Sequence, residues 1–197
     1  MEIRNWQQKI IDDFPSIIEE NQRFILKAPT GAGKTFLASE LIKRFYHRKK
    51  VIVLCHRLVL LEQLEKALHQ EHKIKKLAVS ETSIAFDGYD ILLSTNMRAK
   101  DILADAIPMA DLVIVDEAHN LVSRIVNKIE KDKKKGEPTT IATKLYQLLM
   151  SAENCRIVLL SGTPIINYPN EIAILFNMLR GYIKTFYFRI SSKERSY

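Results

Sequence analysis

The stretch ILKAPTGAGKTFLASEL, residues 25–41, passes from an aliphatic run through a loop of small residues into a helical pattern. Gly31 and Gly33 let the backbone turn its N–H groups inward, where a side chain would obstruct an approaching oxyanion. Lys34 supplies a point charge for the β- and γ-phosphates of a nucleotide, and Thr35 supplies a hydroxyl ligand for Mg²⁺. The helix that opens here adds the positive end of its dipole. Pro29, Thr30 and Ala32 complete the loop. The general phosphate-loop pattern asks for glycine at its first position, which is Ala28 in this chain. Strand, loop and helix nevertheless stand in the order that such a cradle requires.

Outward from this stretch, short apolar runs rich in β-branched residues recur at 23–28, 51–55, 76–80, 90–94, 111–116, 156–161 and 183–190. Most do not alternate with polar residues, which is how strands buried on both faces of a parallel sheet read. Between them lie helical patterns. Phe36, Leu37, Leu41 and Phe45 share one face, as do Leu60, Leu64, Ala67 and Leu68. Strands alternating with helices predict an α/β fold, a mostly parallel central sheet with helices on both faces. Residues 1–182 read as one nucleotide-binding lobe, and 183–197 as a last strand with a polar tail. The Lys-rich stretch NKIEKDKKKGEP, 127–138, reads as a solvated mobile loop between helices near 119–129 and 139–152.

Composition narrows the classes further. The chain has 197 residues, of which 47% are hydrophobic, enough to bury a core rather than remain disordered. No apolar run approaches the ~18 residues that a membrane helix needs. The first residues, MEIRNWQQKI, carry an early acid and no apolar segment, so they do not read as a signal peptide. Cys55 and Cys155 each lie at the edge of an apolar run and read as reduced thiols of an intracellular protein, cytoplasmic or nuclear. Lys and Arg number 30 against 23 Asp and Glu, a net +7. That balance favours partners bearing phosphates without specifying a sequence.

A second motif follows another buried strand. In DLVIVDEAHN, 111–120, Asp116 and Glu117 stand at the carboxyl end of an apolar run, where open α/β sheets hold their ligands. Asp116 can hold Mg²⁺, directly or through water, and Glu117 can orient or deprotonate an attacking water. His119 sits beside them. A third stretch, LLSGTPIINYPNE at 159–171, ends a strand abruptly through Ser161, Gly162 and Thr163 before Pro164.

With APTGAGKT, VDEAH and SGTP in that order, the chain resembles superfamily 2 helicases and translocases, and specifically their first RecA-like lobe. APTGAGKT matches motif I, Ala28 included. VDEAH matches motif II in its DEAH form, and SGTP matches motif III. VIVLCHRLVLLEQ, 51–63, is similar to motif Ia, with Arg57 where the family often places a basic residue on the nucleic-acid backbone. LLSTNMR, 92–98, lies where a further strand-contact motif would fall, which makes Thr95 and Asn96 candidates. IRNWQQKII, 3–11, resembles the N-terminal element in which a glutamine, here Gln7, reads adenine. The run TPIINYPNEIAILFNML, 163–179, is similar to the segment after motif III in Swi/Snf-type translocases. It also resembles relatives in large DNA viruses, early-transcription-factor ATPases and nucleoside triphosphate phosphohydrolases.

The resemblance implies a RecA-like P-loop fold that binds ATP and Mg²⁺ and hydrolyses ATP through Lys34, Asp116, Glu117 and His119. It implies that Ser161, Gly162 and Thr163 couple nucleotide state to movement on nucleic acid, DNA rather than RNA, with contacts to the duplex backbone rather than to bases. It further implies a second RecA-like lobe supplying arginine fingers. No second-lobe motif follows in this sequence, so that lobe is expected from a partner chain or a longer protein, and turnover by one lobe is expected to be slow. The same motifs also permit a non-catalytic module working through a partner in a transcription or remodelling complex, and the ATPase part of a restriction or repair complex.

Overall fold

Seven helical segments and six strands alternate along the chain in the computed structural model, which describes residues 2–77, 86–96, 104–135, 141–163 and 170–181. Helix α1 (Asn5–Glu20) precedes strand β1 (Arg23–Lys27), and α2 (Lys34–Phe45) leads to β2 (Val51–Cys55). Helix α3 (Leu58–Leu68) is followed by the short β3 (Ile74–Lys76) and by β4 (Ile91–Thr95). A 3₁₀ turn (Ile107–Met109) introduces β5 (Leu112–Val115) and α4 (Ala118–Lys135). Helix α5 (Ile141–Ser151), β6 (Arg156–Ser161) and α6 (Asn170–Arg180) complete the described order.

The six strands form one parallel sheet in the order β1-β6-β5-β2-β4-β3. Every residue of β2 is buried, which explains its uninterrupted aliphatic sequence. The pleat divides those side chains between two layers. Val51, Val53 and Cys55 pack with Phe14, Leu41 and Leu61 from α1, α2 and α3. Ile52 and Leu54 pack with Leu121, Leu149 and Met178 from α4, α5 and α6. Burying such side chains on both faces contributes roughly 1.5–3 kcal/mol apiece. β1 and β2 are consecutive in the chain, yet β6 and β5 lie between them. The reversal of strand order opens a crevice at the carboxyl ends of the strands.

Two expectations need correction. The Lys-rich stretch is not a loop from 127, because α4 continues to Lys135. Lysine and glutamate are good helix formers, and the first helix breakers in that sequence are Gly136 and Pro138. The third strand starts at Ile74 rather than Lys76, since its pairing with β4 begins at Ile74↔Ile91. The strand expected at 183–190 lies outside the described residues. Cys55 and Cys155 are free and buried, and burial pushes both thiols up, Cys155 to about 12.

At the far edge of the sheet, His72 is 7% exposed and neither ring nitrogen has a hydrogen-bond partner among the described residues. Its ring meets the His47 ring edge-on at 5.6 Å. Burial first, then the neighbouring His47 and Lys43, hold His72 below its ordinary value, against Asp90 and Glu71. The unfolded chain therefore binds the proton more readily than the folded one. The stability from neutral His72 is full above about pH 6.5 and is lost as pH falls from there toward the lowered folded value. His72→Leu should flatten this slope in urea midpoints measured between about pH 5 and 8, and leave stability at pH 7 equal or higher by about 1 kcal/mol.

Candidate functional site

Strand register assembles the crevice. The Ala28 amide donates to the Ser161 carbonyl at 3.1 Å, so the loop leaving β1 starts beside the end of β6. The Asp116 amide donates to the Leu54 carbonyl at 2.8 Å, which sets the residues after β5 beside those after β2. Three loops from distant parts of the sequence thus meet at one edge.

Within the first loop, Gly33 caps α2 with φ +91°, a left-handed conformation that disfavours a side chain. A Cβ there would also lie 2.7 Å from Gln7 Nε2. Gln7 is 2% exposed, and both ends of its amide are engaged. Oε1 accepts from the Arg4 amide at 2.9 Å, and Nε2 donates to the Gly33 carbonyl at 3.1 Å. The Arg4 guanidinium adds a bond to the Ala32 carbonyl at 3.2 Å. The N-terminal helix therefore holds the phosphate loop by its carbonyls.

Lys34 is 6% exposed, and its ammonium donates to the carbonyls of Ala28 at 3.1 Å and Pro29 at 3.2 Å. It also pairs with Glu117 Oε1 at 3.3 Å. Thr35 Oγ1 faces Asp116 Oδ2 at 3.4 Å. Asp116 is 2% exposed and accepts the Glu117 amide on Oδ1 at 3.0 Å. Burial, and then the Glu117 charge, raise the Asp116 carboxyl above its usual range, while that amide, Lys34 and Thr35 pull the other way. Glu117 itself sits at φ +49°, a strained conformation for a side chain of its size.

His119, on the first turn of α4, meets Ser161 Oγ through Nδ1 at 3.0 Å, and the same nitrogen lies 3.3 Å from Glu117 Oε2. Motif II and the end of β6 are therefore joined side chain to side chain. Gly162 follows, where a Cβ would meet the Ala28 carbonyl and Thr30 Oγ1, each at 3.3 Å. Absence of a side chain lets this loop lie against the phosphate loop. One turn beyond His119, Ser123 donates to the buried Glu171 of α6 at 2.5 Å.

In front of Glu117 lies a cleft of about 390 Å³ that runs to His56 and Arg57, between β2 and α3. Arg57 and Thr163 are exposed, whereas Thr95 is half-buried. Asn96 is 6% exposed and its Oδ1 has no partner among the described residues. Of the three nucleic-acid candidates, Arg57 is the most exposed. Sequence reasoning missed Arg4, His56, Ser123 and Glu171. Only His56 carried a signal, since it follows a buried strand at the same edge as Asp116.

The parallel sheet, the phosphate loop and the linked carboxylates define a RecA-like ATP-binding lobe of the superfamily 2 helicases. The chain belongs to the family described as "Type III restriction enzyme, res subunit", whose model matches residues 1–166. It is 31% identical over 176 residues, 84% of the chain, to the "Termination factor NPH-I homolog" of African swine fever virus. It is likewise 31% identical over 159 residues, 77% of the chain, to "Nucleoside triphosphatase I" of Choristoneura biennis entomopoxvirus. The chain spans 23% of the length of each of these two viral proteins. Among solved structures it superimposes on the Sulfolobus solfataricus SWI2/SNF2 ATPase core in complex with dsDNA. There the TM-score is 0.64 at 18% identity, covering 91% of this chain and 36% of the other.

Because the fold favours protonated Asp116, the carboxylate charge costs stability at neutral pH. The favourable contribution is present at low pH and is lost as pH rises through about 4 toward the raised folded value. Asp116→Asn keeps the shape and the bond from the Glu117 amide. Its thermal midpoint at neutral pH should exceed wild type, by about 2–4 °C for each kcal/mol relieved.

Proposed function

We propose that this chain is the ATP-binding lobe of a nucleic-acid-dependent ATPase that couples hydrolysis to movement along nucleic acid, translocase-like and on duplex DNA. The observation that carries the reading is the continuous linkage Lys34–Glu117–His119–Ser161, with Asp116 and Thr35 directly behind it. Phosphoryl transfer needs positioning and charge neutralisation more than covalent chemistry. Lys34 steadies the β- and γ-phosphates once they displace the Ala28 and Pro29 carbonyls. Glu117 accepts the proton of the attacking water. His119 reports the state of Glu117 to Ser161, and through Gly162 and Thr163 to whatever packs on that loop.

Thr35 and Asp116 fit a Mg²⁺ ion. Both offer hard oxygen donors, and the buried Asp116 charge is only partly offset by Lys34 and Thr35. When bound, that ion supplies charge neutralisation on the phosphates. Gln7 remains the candidate for reading adenine, but in this structure its amide holds the phosphate loop. Arg57 remains the candidate for a backbone phosphate, its exposure supporting that role, and Thr95 and Asn96 remain candidates beside it. The duplex bound to the SWI2/SNF2 core supports DNA as the polymer, and the viral relatives support a viral setting. A second RecA-like lobe, in the same protein or a partner, would complete the site. The family description favours one further reading, the ATPase part of a restriction complex.

ATP hydrolysis by the chain, with and without duplex DNA, single-stranded DNA and RNA, tests the proposal. Polymer-stimulated turnover should fall by roughly 10²–10⁴-fold in Glu117→Gln while nucleotide still binds. Unchanged turnover in that variant would overturn the assignment. Gln7→Ala separates the two roles of the amide. It should weaken ADP and base-free pyrophosphate alike, by about tenfold, as expected for lost hydrogen bonds to the loop. A loss confined to adenine nucleotides would instead assign base reading.

A further inference from the structure

Glu171 is a buried acid for which nucleotide binding has no use. It lies in the first turn of α6 and is inaccessible to solvent, whereas acids that serve a helix dipole ordinarily stand in water. At helical spacing after it come Leu175 and Met178, both buried in the apolar layer that also holds Leu121, Val122 and Ile125 of α4. The core-facing stripe of α6 therefore opens with a carboxyl group. An aliphatic side chain would pack there without the cost of removing that group from water. Packing alone does not account for the residue.

Its contact with α4 does. Ser123 Oγ donates to Glu171 Oε1 at 2.5 Å. Ser123 and His119 stand at i and i+4 on α4, so they share one face of the helix. His119 Nδ1 meets Ser161 Oγ at 3.0 Å. Consecutive turns of α4 thus hold the chain at two points, the end of β6 through Ser161 and the start of α6 through Glu171. Gly162 and Thr163 lie between these points in sequence. The same helix begins directly after Glu117, which pairs with Lys34 at 3.3 Å. A shift of Glu117 on nucleotide binding therefore enters α4 at its first turn. Apolar contacts between α4 and α6 have no preferred direction and let one helix slide on the other. A hydrogen bond fixes both distance and direction.

We infer that Ser123 and Glu171 are positioning residues, whose hydrogen bond makes the start of α6 follow the first turns of α4 when nucleotide binds. The inference rests on the ATPase reading. Neither side chain reaches the phosphate loop, and both act through the placement of α6. Coupling of this kind is carried by hydrogen-bonded pairs between rigid elements. With His119–Ser161 alone, the response to nucleotide would end at β6. With Ser123–Glu171 added, both ends of the connection that contains Gly162 and Thr163 move with α4.

The test is amide hydrogen exchange in α6, read at Ile174 and Leu175, with and without Mg·ADP. Mg·ADP binding is measured first by calorimetry, and its absence would defeat the ATPase reading itself. In wild type, saturating Mg·ADP should slow exchange at these two amides by about fivefold. Ser123→Ala should abolish that response while changing Mg·ADP affinity by less than about twofold, since the phosphate loop keeps its own contacts. Ser123→Thr retains the hydroxyl and should restore the response. Glu171→Leu continues the apolar stripe, so it should fold with equal or greater stability and yet lose the response. That last pairing separates positioning from packing, because a merely structural Glu171 would be replaced by leucine without effect on the response. No slowing in wild type would overturn the inference, as would a response retained in Ser123→Ala or in Glu171→Leu. Failure of Ser123→Thr to restore it would do the same.

Discussion

A buried ammonium and a buried carboxylate share the carboxyl edge of the sheet, and much of the structure keeps them there. Lys34 and Asp116 are each nearly inaccessible to solvent, which costs free energy unless the charges are paired and hydrogen-bonded. The fold answers with main-chain carbonyls from Ala28 and Pro29 for the one and the Glu117 amide for the other. Each set of partners is local to its own loop, but the two loops meet only because β1, β6, β5 and β2 are parallel and in register. An antiparallel neighbour would send one of those loops to the opposite end of the molecule.

The compensation is incomplete where function needs it to be. Asp116 remains raised, Glu117 is held at positive φ, and one Glu117 oxygen and one His56 nitrogen lack hydrogen bonds. Such residues persist only because their surroundings over-determine them. Here the aliphatic strand β5 buried on one side and the long helix α4 on the other fix the backbone between them. The unsettled charges are thus concentrated within a few residues of where phosphate and metal would arrive, while the two apolar layers are conventionally packed.

The phosphate loop and the acidic pair were legible in the sequence because their chemistry demands particular residue types at adjacent positions. Glycine at positive φ, lysine at a helix start and carboxylates after an aliphatic run leave little freedom. The buried strands were legible for the same reason, each being a short aliphatic run. Legibility failed where partners are remote or propensity is ambiguous. Nothing in IRNWQQ announces that Arg4 and Gln7 grip the loop carbonyls, and nothing near Ser123 announces Glu171. The Lys-rich run reads as solvated from its charge, yet lysine and glutamate are also strong helix formers and α4 continues through most of it. The start of β3 was misplaced because a three-residue edge strand carries too little pattern to fix its end.

The sheet order has a consequence for how the protein is made. Among the described strands, β1 touches the sheet only through β6, with Arg23 aligned on Ile157. During synthesis the phosphate loop emerges before β2, β3, β4 and β5, but the strand that anchors it emerges only after them. Contacts so distant in sequence form slowly, and chains grow at roughly 5–20 residues per second. Until β6 inserts, the central strands β5, β2 and β4 can pair among themselves while β1 and α1 wait outside. The nascent lobe would therefore acquire a core before it acquires a nucleotide site, and a chain released short of Ser161 would be compact on one side yet unable to hold phosphate.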